Sequence, residues 1–164
     1  MALEITASDT AGEPFARTEQ LFSLMEAKRM LLGELRSLSV SQAEAIDKQD
    51  VTELLSFLAR KQTMMDRLLV VQQQMLSFQG EDPETRVWSS PERRRACQET
   101  KGLCDQWIQE ILVMEQRATE SMTAQRDAIA GHLLQAADSM RLARAYGFDE
   151  AIACDTDESL SLDG

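Results

Sequence analysis

The stretch PERRRACQETKGLCDQWIQEILVMEQRATESMTAQRDAIAGHLLQAADSMRLARAY, Pro91–Tyr146, runs for 56 residues with no proline after its first position. Ser90 before it is a good N-cap, and Pro91 suits a first helical turn. Apolar residues recur through it at helical spacing: Cys97, Cys104, Trp107, Ile108, Ile111, Met114, Ala118 and Met122, then Ile129, Leu133 and Met140. A continuous helix of that length measures about 84 Å at 1.5 Å per residue. Propensity alone does not stabilise so long a helix, so it needs neighbours to pack against. Gly102 and Gly131 are the candidate kink points.

Two upstream segments supply those neighbours. From about residue 18 to 48, Leu21, Leu24, Met25, Leu31, Leu32, Leu35, Leu38, Ala45 and Ile46 mark an amphipathic helix, with a bend expected around Ser37–Ser41. Asp50 followed by Glu53 has capping-box spacing and starts a second helix, about 51–78, carrying Leu54, Leu55, Leu58, Met64, Met65, Leu68 and Leu69. Gln49–Asp50 is either a tight break or a local kink. Gly80 and Pro83 open a loop over 79–90. The lengths of the first two helices together nearly match the third. The reading is therefore all-α: an elongated antiparallel helical bundle of about three long helices, the last (91–146) packing along the first two. The bundle domain covers 17–146, between a flexible N-terminus (1–16) and an acidic flexible tail (147–164).

Composition narrows the function classes. The chain has 164 residues, 17 Lys plus Arg against 28 Asp plus Glu, and a formal charge of -11. Residues 147–164 contain six acids and no base, which leaves 22 acids against 17 bases in the first 146 residues. The body is only mildly acidic. It has no broad basic face for a phosphate backbone, which excludes nucleic acid. No apolar run approaches the length of a membrane span, and the N-terminus has neither the basic nor the apolar region of a secretory signal. Three cysteines do not make a disulfide scaffold. The expected location is the cytoplasm.

Motifs for chemistry are missing. His132 is the one histidine and has no ligand partner at helical spacing. Cys97 and Cys104 read as core positions, and Glu110 and Glu115 as solvated helix faces. No catalytic residue, cofactor or metal site is assigned, and the chain is not expected to be an enzyme. The rival enzyme reading requires a pocket with polar groups converging near His132, Glu110 or Glu115. Arg93–Arg95 sit unfavourably at a helix N-terminus, so acidic neighbours are expected, the tail among them. Trp107 reads as a core residue and Trp88 as a staple over the loop. After Met122 the apolar stripe thins to small residues. Met122, Ile129, Leu133, Ala136, Met140, Ala143, Tyr146 and Phe148 form the candidate partner-binding face.

The segment Asp50–Leu68, DVTELLSFLARKQTMMDRL, resembles the FlgN-like flagellar export chaperone family. In that family an Asp at the end of a Leu-rich first helix precedes Leu pairs, a Lys and a further Leu cluster. Leu54, Leu55, Leu58, Lys61, Met65 and Leu68 match that pattern, and Leu31–Leu35 and Ala45–Gln49 look like the family's first helix. The resemblance covers residues 20–78, and the last helix matches in character. The loop segment Arg86–Pro91 and the acidic tail depart from it. The resemblance implies a cytoplasmic chaperone that holds a hook-filament junction protein for type III flagellar export, with cargo on Ile129–Phe148. The alternative is a coiled-coil structural or scaffolding protein that self-associates along the same face, as a homodimer.

Overall fold

The computed structural model describes residues 13–155, and the side chains of residues 15–146. Its helices are α1 (Glu13–Asp47), α2 (Val51–Met75) and α3 (Pro91–Asp155). Short 3-10 turns follow α2 at Leu76–Phe78 and lie in the loop at Pro83–Thr85. No strand occurs among the described residues. The molecule is an all-α helical bundle. It divides into two compact units, Met1–Thr119 and Glu120–Gly164, a division inside the body read from the sequence as one domain.

The helix ends follow from local chemistry. At the end of α1, Gln49 adopts φ 57°. The Asp50 N–H then reaches the Ala45 carbonyl at 2.9 Å, and the Gln49 N–H reaches Ile46 at 3.1 Å. That pair of bonds is a Schellman closure. Asp50 at once caps α2, its Oδ1 accepting the Glu53 N–H at 2.9 Å. Residues 49–50 are thus a full break between helices, not a kink. Ser90 caps α3 by accepting the Arg93 N–H at 3.1 Å. Helix α1 continues unbroken through Ser37–Ser41, where Leu38 and Ser39 are buried. Helix α3 is assigned without interruption through Gly102 and Gly131 and extends to Asp155, past the end expected at Tyr146. The parts of the expected termini at 1–12 and 156–164 lie outside the described residues.

In the first unit α1 is the central helix. Leu21, Met25, Leu32 and Leu35 are buried with Phe78, Cys97 and Cys104, and Trp88, Trp107, Ile108 and Ile111 pack around them. Helix α3 lies parallel to α1 at a constant offset of 74: Glu19 meets Arg93, Glu26 meets Thr100, and Arg36 meets Glu110. Gly33 and Trp107 share that offset, and a Cβ added at Gly33 would lie 3.2 Å from the indole ring. The matched positions 19, 26 and 33 are seven apart, so this parallel pair follows a heptad repeat.

One polar cluster joins all three helices. Lys61 of α2, with a side chain 11% exposed, donates to Gln42 Oε1 of α1 at 2.7 Å and to the Glu115 carboxylate of α3. Ser39 Oγ of α1 donates to the same carboxylate at 2.8 Å. Gln42 is 1% exposed, so its amide oxygen has little access to water when Lys61 is removed. Lys61→Met is expected to lower stability by about 1–3 kcal/mol through that orphaned acceptor. Adding Gln42→Leu should recover most of the loss, as read from urea midpoints. The glycines give a second test. Gly102 has open space around its missing Cβ. Gly102→Ala should therefore stabilise by about 0.5–1 kcal/mol, while Gly33→Leu, forced against Trp107, should cost about 1–3 kcal/mol.

Candidate partner-binding face

Within the second unit, α3 presents the residues singled out from the sequence as a face exposed among the described residues. Met122, Ile129, Leu133, Ala136, Met140 and Ala143 alternate at spacings of three and four, interrupted by Arg126. That spacing aligns them along one stripe of the helix. Exposure runs from 59% at Ile129 to 72% at Tyr146, and Ala136 and Ala143 are exposed as well. Met122 is half-exposed. Phe148 lies outside the described side chains. Leu134 and Leu142 add exposed apolar surface beside the stripe. Arg126–Asp127 and Asp138–Arg141 form ion pairs along the same helix. His132 is exposed among these residues. The arrangement offers shape and apolar area to another helix.

Elsewhere the structure corrects the reading of the carboxylates. Glu110 and Glu115 are more than solvated surface groups. Each is half-buried and bonded to another helix, Glu110 to Arg36 and Glu115 to Lys61 and Ser39. A signal for the second pair was present: Lys61 stands among Leu54, Phe57, Met64 and Leu68 at spacings of three and four, where an apolar residue is the norm. A charge at such a position needs a partner. The acidic neighbours of the arginine run come from α1 and the loop. Arg93 grips Glu19 through two nitrogens at 3.0 and 2.7 Å and stacks 4.2 Å over the Phe22 ring. Arg94 holds Glu84 at 2.9 Å. The tail is not needed for either contact.

The loop 79–90 is tied down in the same manner. Arg17 pairs with Glu81, donates to the Ser77 carbonyl at 2.8 Å and lies 4.4 Å over the Phe78 ring. Arg86 bonds Glu81 and the Phe78 carbonyl. Between these elements opens a cleft of about 560 Å³, with Met25, Met75, Phe78 and Trp88 in its wall. Its acids Glu81, Glu84 and Asp105 are each held by a base, and none of His132, Glu110 and Glu115 lines it. Cys97 and Cys104 are buried, and burial raises both thiols above their ordinary range. Among the described residues no group of three or more His, Cys, Asp and Glu could hold a metal ion. No helix there is long and apolar enough to cross a membrane.

Among the described residues four carboxylates titrate below their ordinary range. Glu19 is lowered chiefly by its bond from Arg93, Glu26 by Arg29 and then Thr100, and Glu110 by Gln106 and then Arg36. At Glu81 desolvation pushes upward, and Arg17 and Arg86 together outweigh it. A carboxylate with a depressed folded pKa binds fewer protons in the folded state than in the unfolded one. Its contribution is complete above the unfolded value of about 4.3 and disappears as the pH falls through the lower folded value. The thermal midpoint should therefore hold nearly level from about pH 8 to about pH 5 and fall below that. Glu19→Gln should flatten part of the acid limb without moving the plateau's position on the pH axis. Compared with protein-family models, curated proteins and solved structures, the chain matches none.

Proposed function

We propose that this protein is a non-catalytic helical chaperone or adaptor that holds an amphipathic helical segment of another protein. The observation that carries the reading is the heptad-spaced apolar stripe Ile129–Ala143, whose members are all exposed. A partner helix laid on that stripe removes Leu133 and Met140 from water, each contributing about 1.5–3 kcal/mol when fully buried. Ala136 and Ala143 leave room for close approach between helix backbones. Met140 adapts to differing side chains, as suits a protein that holds segments not yet in their final fold. Capture is non-covalent, and it keeps the bound segment from associating with itself.

The resemblance of Asp50–Leu68 to FlgN-like chaperones supplies the partner class: a hook-filament junction protein bound in the cytoplasm ahead of type III flagellar export. The competing reading, self-association along the same stripe, predicts a different response to one experiment. In a pull-down with a purified junction protein, Leu133→Asp and Met140→Asp should each weaken capture at least tenfold while leaving helicity unchanged. Capture that survives both substitutions would sink the proposal. A junction protein that does not bind, with a homodimer abolished by the same substitutions, would favour the scaffold.

A further inference from the structure

We infer that the first unit forms a two-fold homodimer through the outer stripe of α2. This helix is apolar over nearly half its circumference, and its own unit covers only part of that arc. Leu54, Phe57, Lys61, Met64, Leu68, Val71 and Met75, continued by Phe78, are buried or half-buried. Rotated by about 100° from them, one residue further along, lies a second regular stripe: Val51, Leu55, Leu58, Gln62, Met65, Leu69, Gln72 and Leu76. Its spacings alternate four and three throughout. All eight are exposed, the apolar ones from 38% at Leu58 to 64% at Val51. This is the pattern of a two-stranded coil, sustained over the three to four heptads such a coil requires.

Two observations point to a second copy as the occupant. The first is area. At about 100 Å² per fully exposed aliphatic side chain, the exposed apolar members with Val70 beside them supply on the order of 400 Å² per chain. One side of a standard interface buries about 800 Å², of which somewhat over half, about 450 Å², is apolar. The supply and the need agree. The second is charge. No stripe position is charged, and on the open flank Thr52, Ala59, Asp66 and Gln73 include one charge. Flanking charges set partner choice and orientation in such coils, and like charges facing one another bar a second copy. Here like-charge repulsion between copies is nearly absent. A two-fold contact uses each stripe once and closes, so it produces a dimer and no longer assembly.

The dimer does not depend on the proposed chaperone role, because it uses a different helix. Sedimentation equilibrium of the full chain at tens of micromolar should return twice the 18.4 kDa chain mass. Leu55→Glu combined with Leu69→Glu should weaken the dimer about a hundredfold or more and give a monomer with unchanged circular dichroism, because both side chains are exposed within their own unit. Met30→Glu, at an exposed apolar residue of α1 that is not part of the stripe, should leave the dimer intact. A wild-type monomer at every concentration would overturn the inference. So would a dimer indifferent to the α2 pair, or one lost only when the stripe at Ile129–Ala143 is altered.

Discussion

An ammonium group in the middle of the bundle constrains the packing of its three helices. Lys61 has little access to water, so it must be solvated by protein, and it finds an amide oxygen on α1 and a carboxylate on α3. Apolar side chains can slide past one another by a turn at modest cost. A buried lysine cannot, because its partners occupy two particular positions on two other helices. The cluster therefore sets the axial register of α2 against both neighbours. The cation also holds Glu115, which in turn accepts from Ser39 of α1. The serine and glutamine that lower the apolar content of α1 near its end are thus the polar half of a core contact.

Electrostatic contacts govern the other end as well, by a different means. Arg17, Arg86, Arg93 and Arg94 each tie one element to another, and two of them lie across aromatic rings. The pairs of Arg17, Arg93 and Arg94 are accessible to water, so their Coulomb energy is screened and individually small. Arg17, Arg86 and Arg94 hold the loop 79–90, and Arg93 ties the start of α3 to α1 where that loop returns. Apolar burial supplies the driving force, and the arginines select how the chain turns.

Helix identity and the starts of α2 and α3 were readable because they depend on local chemistry: Asp50 and Ser90 cap where their side chains can reach the next turn. Helix α1 has no such signal and begins at Glu13, ahead of the start expected near residue 18. The C-terminus of α1 was less plain, since Gln49 adopts a left-handed conformation usually given to glycine. The outer stripe of α2 was hidden for a different reason. Periodicity reports that a position is apolar, and it does not report how many neighbours are available to cover it. Leu54 and Leu55 look alike in sequence, yet one turns inward and the other outward. The pairing of Glu115 with Lys61 joins residues 54 apart and depends on tertiary register. The exposure of Ile129–Ala143 follows from a stripe that is thin and interrupted, with too little apolar area to hold a neighbouring helix of its own unit.

The constant offset between α1 and α3 bears on how such a chain can change length. Inserting one residue into either helix rotates everything beyond it by about 100°, moving Trp107 off Gly33 and Glu110 off Arg36. Insertions or deletions inside this pair are therefore tolerable in sevens, and only when both helices change together. The loop between Gly80 and Ser90 has no such periodicity to keep. Length variation among descendants of this sequence should concentrate in that loop and in the ends of the chain, leaving the spacing of Glu19, Glu26 and Gly33 unchanged.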